Sequence, residues 1–251
     1  MREVVVMIRK VTGIIVSTVD YKESSKIINI FTENDGVIGV LSKGCRNIKS
    51  KLHQASNSLI KGNFYLRQYG TGLPILTEVD IECYYKEIKM DIIKQSYALY
   101  LLELSVQVWR HSNQKNIYDL LLMALEKIEN NYDDVVITYI LELKLLKYLG
   151  IEPELSCCVS CRKKTDIVTV SSYRGGYLCR DCLKNENVYS LKMVQLIRIF
   201  SMVDLASISS ISVSEEVKRE IGLFIDDYYE RYSGLYLKSK DFLKKFSSSI
   251  S

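Results

Sequence analysis

Four of the seven cysteines stand in two pairs, Cys158-Val159-Ser160-Cys161 and Cys179-Arg180-Asp181-Cys182, and no other feature restricts the folding of the chain so tightly. Two thiolates on one tight turn can reach the same ion, and a second such turn completes a tetrahedron. Cys-x2-Cys, then residues 162–178, then Cys-x2-Cys therefore predicts one structural zinc held by Cys158, Cys161, Cys179 and Cys182. Cys157 leaves a second arrangement open, because Cys157-x3-Cys161 is also feasible; the two-residue gap repeated in the second pair favours Cys158. Four thiolates leave no position for water, so such a centre builds structure and does not activate a substrate. Gly175-Gly176 allows a turn before the second pair that residues with a Cβ would resist. Arg162, Lys163, Lys164, Arg174 and Arg180 are expected to offset part of the charge of the thiolates, the reading favoured over the alternative that they face nucleic acid.

Length and composition fit a globular protein of one large or two modest domains: 251 residues, 47% hydrophobic, 25% charged, with no disordered or membrane-spanning bias. Met1 to Lys10 has an early acidic residue, an apolar run too short for a signal peptide and no cleavage site after it, so a cytoplasmic location is expected. In that reducing compartment paired cysteines hold metal more often than they form disulfides, and Cys45 and Cys83 are read as packing residues. The net charge of +4 lies wholly within the first 80 residues. From Gly36 to Thr77 the chain carries Lys43, Arg46, Lys49, Lys51, Lys61 and Arg67 and no acidic residue, so a polyanion should find one face of one domain attractive.

The first part of the chain reads as short strands near Val11–Thr18, Ser25–Thr32, Val37–Lys43, Leu59–Arg67 and Leu73–Ile81, with Glu33-Asn34-Asp35-Gly36 as a hairpin turn. Five strands with a helical or irregular insert after the third suit a small closed barrel, either the five-stranded oligonucleotide-binding (OB) fold or an SH3-like barrel. From Ile75 to Leu149 there is neither proline nor glycine, and helices are expected over Tyr85–Trp109, Ile117–Glu129 and Asp133–Leu149, the last stopped by Gly150. Leu101, Leu104, Leu121, Leu122 and Leu125 read as helix-packing core. Beyond the cysteines, helices are expected over Leu191–Leu205 and Val213–Tyr232, the second opened by a Ser212-x-x-Glu215 capping box and closed by Gly234. The basic stretch Lys238–Lys245 is read as a solvated end. The fold class is thus α+β and multidomain: an OB barrel at 1–82, then a helical domain at 83–251 interrupted by a four-cysteine zinc ribbon at about 156–184.

Enzyme chemistry has little support. His53 and His111 lie far apart, with no His-x-Glu, nucleophile elbow or phosphate loop, so no catalytic residue and no small-molecule substrate are assigned. His53 is expected to face solvent or phosphate.

Several stretches together resemble the bacterial recombination mediator family RecO over nearly the whole chain. They are Gly13-Ile14-Ile15-Val16 with Tyr21–Ile28; Phe31-Thr32 with Gly36-Val37-Ile38 and Ser42–Arg46; and Leu76-Thr77-Glu78. Tyr100–Leu104, Tyr118–Leu121, the cysteine pairs with Gly175-Gly176, and Leu237–Leu243 extend the match into the second half. The resemblance implies an OB barrel on a helical domain with a zinc ribbon, and a protein that binds single- and double-stranded DNA and anneals complementary strands. It also implies partners: the C-terminal tail of single-strand-binding protein, RecR and, in many bacteria, RecF, acting together to load RecA. The implied location is the cytoplasm, at the nucleoid during repair, with no membrane contact. The segment Lys43–Lys51 departs from the family pattern at Cys45 and Asn47, which thins its charge. The expected DNA-binding residues are Lys43, Arg46, Lys49, Lys51, Lys61, Tyr65 and Arg67, with Tyr65 stacking a base for about 1–3 kcal/mol while Phe64, of opposite parity, packs inward. The alternative function is a zinc-containing scaffold that acts only through protein partners, without touching DNA.

Overall fold

The computed structural model describes residues 6–240 and residue 243. The chain divides into two compact units, the first ending at Gln95 and the second beginning at Ser96. In the first unit, β1 (Val6–Tyr21), β2 (Ser25–Thr32), β3 (Gly36–Ser42), β4 (Lys61–Tyr69) and β5 (Ile75–Cys83) close a barrel in the order β1-β2-β3-β5-β4. Neighbours are antiparallel except β3 and β5, which run parallel with Leu41 opposite Ile75. This is the five-stranded OB arrangement, and closure leaves no free sheet edge.

β1 is longer than the expected Val11–Thr18 because it serves two partners. Val6–Ile14 lie along β4 and Gly13–Tyr21 along β2, so Gly13 faces both Gly62 and Thr32. A Cβ on Gly13 would sit 2.6 Å from both the Ile30 Cγ2 and the Phe31 carbonyl oxygen, and one on Gly62 only 2.3 Å from the Asp80 carbonyl oxygen. Only glycine lets the backbones approach this closely where the strand changes partner. Val11, Ile15, Ile28, Ile30, Val40, Ile60, Phe64, Leu66 and Leu76 fill the barrel core. The expected hairpin turn joins β2 to β3, where the Thr32 hydroxyl donates to the Gly36 carbonyl (2.8 Å) and accepts from the Asp35 N–H (2.9 Å).

The helices are α1 (Lys86–Met90), α2 (Ile92–Ser112), α3 (Asn116–Glu129), α4 (Asp134–Tyr148), α5 (Leu191–Met202) and α6 (Glu215–Tyr232). The single helix expected over Tyr85–Trp109 is instead two. Asp91 is extended, and its carboxylate accepts from the Ile93 and Lys94 N–H groups at 2.8 and 3.3 Å, capping a fresh start. α4 is buried on most of its surface and packs against α3, α5 and α6. It begins on Asp133, whose carboxylate accepts from the Val136 N–H, and ends with Gly150 N–H to Lys147 C=O and Ile151 N–H to Leu146 C=O, a Schellman close. Leu101, Leu104, Leu121 and Leu125 are buried as expected, and Leu122 is half-buried.

Two helix ends differ from expectation. α6 has Ser214, not Ser212, at its N-cap, and Glu215 does not complete a capping box: it pairs with Lys218 (2.7 Å), which also reaches Asp133 (2.6 Å). α5 stops at Met202 because Asp204 caps a separate short turn at Leu205–Ser207.

The basic C-terminal stretch, expected to be a solvated end, is held inside the second unit as far as it is described. Lys240 pairs with Asp226 (2.6 Å) and Glu142 (3.5 Å), and its ammonium lies 5.3 Å from the Tyr229 ring centroid and 5.7 Å from that of Tyr100. Glu103 accepts from the N–H groups of Lys238 (3.2 Å) and Ser239 (2.9 Å) and from the Ser239 hydroxyl. Asp241, Phe242, Lys244 and Lys245 lie outside the described residues, as do Met1–Val5 of the N-terminal stretch.

Candidate metal centre and nucleic-acid interface

Between α4 and α5, β6 (Ile167–Ser171) and β7 (Gly176–Cys179) form a small hairpin that carries the cysteine pairs. The first pair sits on a turn closed by Arg162 N–H to Cys158 C=O (2.9 Å), with Arg162 left-handed at φ 64°, and Cys158 N–H reaches Lys163 C=O (2.8 Å). The second pair spans the end of β7 and a single 3₁₀ turn, Arg180–Cys182. Gly176 makes the approach of the preceding segment possible: a Cβ there would lie 2.3 Å from the Glu154 carbonyl oxygen, with which Tyr177 N–H pairs at 2.9 Å.

The four Sγ atoms of Cys158, Cys161, Cys179 and Cys182 all lie within 4.8 Å of one another, and those of Cys161 and Cys179 are 3.6 Å apart. Sulfurs around a tetrahedral zinc at about 2.3 Å would stand about 3.8 Å apart, so the donor set fits a closed four-thiolate site. Cys157 is buried outside this cluster. Burial pushes the Cys158 thiol up, but the N–H groups of Cys179, Cys161 and Ser160 converge on its sulfur and bring it down to about 6. Cys182 is pushed up to about 12, first by the neighbouring Cys161 sulfur and then by burial. A cation shared by the four sulfurs would favour the thiolate form of each. Three of the surrounding basic residues have partners of their own. Arg162 is held by Glu154 (3.0 Å), Lys163 by Asp166 (2.9 Å) and Asp181 (3.3 Å), and Arg174 donates to Ser160 Oγ (2.7 Å).

The barrel residues expected to meet DNA fall into two groups. Lys43, Arg46, Lys49 and Lys51 are exposed on successive turns after β3. These turns are braced: Arg46 N–H reaches Ser24 C=O (2.9 Å), Ser50 N–H reaches Asn47 C=O (2.9 Å), and the Asn47 side chain accepts from Lys49 N–H (3.0 Å). Cys45 is buried beneath them, and the His53 ring, expected to face solvent or phosphate, is half-buried with Nδ1 2.9 Å from the Cys45 carbonyl. The Arg46 guanidinium spans to Asp20 (3.3 Å) and to the Lys22 carbonyl (3.4 Å), which joins these turns to the exposed Lys22 of the β1–β2 turn.

Lys61, Tyr65 and Arg67 share the outward face of β4, while Phe64 is buried. The outward row of β5 beside them is acidic. Lys61 pairs with Glu82 (3.3 Å), Glu82 also accepts from Asn63 (3.0 Å), and the Tyr65 hydroxyl donates to Asp80 (2.7 Å). That hydrogen bond and the nearby carboxylates hold the Tyr65 phenol above its ordinary range. The alternation Glu78-Val79-Asp80-Ile81-Glu82 was the sequence signal for this row. Lys10, across from Tyr65 on β1 with its ammonium 6.0 Å from the ring, belongs to the same face and was not singled out from sequence.

Comparison with known proteins agrees with this construction. The family described as Recombination protein O N terminal matches residues 7–85, and Recombination protein O C terminal matches residues 90–241. The protein named DNA repair protein RecO of Shouchella clausii is 34% identical over 244 residues, covering 95% of each chain. That of Bacillus subtilis is 34% identical over 250 residues, covering 96% of each. An OB barrel followed by a helical unit with a four-cysteine hairpin is the two-part architecture that both matches span. The chain belongs to the RecO family, which places it among DNA repair and recombination proteins. Among the described residues no helix is long and apolar enough to cross a membrane.

Proposed function

We propose that this chain is a recombination mediator: it binds single- and double-stranded DNA through its barrel and anneals complementary strands. On this reading it works in the cytoplasm with RecR, and with RecF where present, to load RecA onto DNA coated by single-strand-binding protein, whose C-terminal tail it engages. Residues 1–82 are the DNA-holding domain, and residues 83–251 form the helical domain with its ribbon at about 156–184. One observation carries the reading: in a RecO-family chain, Lys43, Arg46, Lys49 and Lys51 stand exposed on a braced segment of a closed OB barrel. Cations on such a scaffold neutralise phosphates of either strand without fixing register, which annealing requires, and each contact releases counterions. Lys61, Tyr65 and Arg67 extend the surface, with Arg67 the exposed member and Lys61 and Tyr65 tempered by Glu82 and Asp80.

We assign one zinc to Cys158, Cys161, Cys179 and Cys182. With four thiolates around it the ion would hold the two turns together and offer no site for water. The test is annealing of two complementary oligonucleotides coated with the cognate single-strand-binding protein, followed across a salt series. Acceleration that weakens with salt, and with loss of that protein's acidic tail, is expected. No acceleration by folded, metal-loaded protein would favour a scaffold that acts only through its protein partners.

A further inference from the structure

Ile48 stands at the head of the basic turns and is 84% exposed. A single exposed apolar side chain is ordinary; the setting of this one is not. Arg46, Lys49 and Lys51 surround it in sequence, with no acidic residue between Gly36 and Thr77. The same segment buries its other apolar members: Cys45 and Ala55 are buried, and Leu52 packs against the barrel core. Backbone bonds brace it on both sides, Asn47 N–H to Gly44 C=O at 3.2 Å before it and Ser50 N–H to Asn47 C=O at 2.9 Å across it. The segment thus has inward apolar anchors and a braced, outward Ile48 flanked in sequence by exposed Arg46, Lys49 and Lys51.

We propose that Ile48 is a wedge that enters between neighbouring bases of DNA held by these cations. The inference rests on the reading of Lys43–Lys51 as a DNA-binding segment and adds a residue that touches bases to residues that touch phosphates. Aliphatic side chains inserted at a base step unstack it and kink the duplex. A braced loop needs little ordering on binding, so contact energy can go into unstacking. A step opened in this way presents base faces to an incoming strand.

The experiment uses the full, metal-loaded chain and a duplex carrying 2-aminopurine, whose emission rises when it is unstacked. Saturating wild-type protein raises the emission several-fold. Ile48→Ala removes no charge and so keeps the salt slope of binding, but at saturation it leaves the emission near that of free DNA, and Ile48→Leu restores it. Ile48 makes no core contact to lose, and circular dichroism of Ile48→Ala checks the fold. Equal emission from the wild-type and Ile48→Ala complexes overturns the wedge. If the wild type does not bind the duplex, or Lys49→Ala with Lys51→Ala binds as the wild type does, the basic-segment reading fails and the wedge falls with it.

Discussion

Around Cys158 and Cys179 the chain turns its reactive atoms toward one another, while from Lys43 to Lys51 it turns its charges toward water. In the first region four sulfurs within 4.8 Å define one point in space, and the nearby cations are held by carboxylates. In the second the cations are spread along braced turns, and only Arg46 has a carboxylate partner among the described residues, Asp20, on an exposed pair. A convergent site is all-or-none, because losing one ligand unmakes it; a dispersed site is graded, because losing one cation removes one phosphate contact. The same contrast recurs elsewhere in the chain. Lys240 is locked between Glu142 and Asp226 whereas Lys49 is exposed, and Phe64 is buried whereas its neighbour Tyr65 faces outward.

The largest effect is expected at the cysteines. Structural zinc contributes about 10–16 kcal/mol of apparent binding energy in small zinc modules. Cys158→Ser or Cys179→Ser should therefore abolish metal binding and expose the segment around residues 157–182 to protease, while Cys157→Ser should keep one metal per chain. Metal analysis with limited proteolysis reads both, and retained metal in Cys158→Ser would break the convergent description. Next comes the barrel. Phe64→Ala should cost about 3–5 kcal/mol of stability by opening a core cavity, whereas Tyr65→Phe should leave it nearly unchanged; chemical denaturation of the two variants compares them directly.

A smaller cost, about 3 kcal/mol, is expected for Lys240→Ala, at the low end for a broken buried pair because Glu142 can take up a proton. The chemistry there also sets a pH dependence. Glu142 is held above its ordinary range by burial, which outweighs the opposing pull of Lys240 and the Tyr100 hydroxyl. Lys240 is itself raised: burial lowers it, but Glu142 and Asp226 more than compensate. A raised carboxyl favours the folded state while protonated, and that contribution is lost as pH rises from the ordinary carboxylate value through the folded one. Removing Lys240 raises Glu142 further, so the deficit of Lys240→Ala should widen with pH above the ordinary carboxylate range. Denaturation followed through the single tryptophan, Trp109, at several pH values reads it; a pH-independent deficit would mean that Glu142 does not titrate in that range.

Features fixed by local chemistry were legible in the sequence. Short runs rich in Val, Ile, Tyr and Phe broken by Gly, Asn and Asp gave the strands, paired cysteines gave the cluster, and Asp133 and Gly150 gave the ends of α4, since each needs only near neighbours. Features set by distant partners were not. The length of β1 depends on its having two partners, and the fate of Lys240 depends on Glu142, 98 positions away. The break at Asp91 was legible in kind, an aspartate before Ile-Ile-Lys, but was masked by the continuous apolar pattern around it. Charge counting found the basic stretch after β3; it did not reveal that β5 sets Glu82 and Asp80 against Lys61 and Tyr65, because charge matters here by face and the face follows from strand pairing.

The most direct test is equilibrium binding of a fluorescent oligonucleotide to folded, metal-loaded protein across a salt series, for the wild type and for Arg46→Ala with Lys51→Ala. Binding should fall linearly on a log–log plot, and the double variant should bind more weakly with a slope shallower by about two, one lost phosphate contact per cation removed. Wild-type protein that fails to bind at low salt, or a double variant with unchanged affinity and slope, would contradict the account.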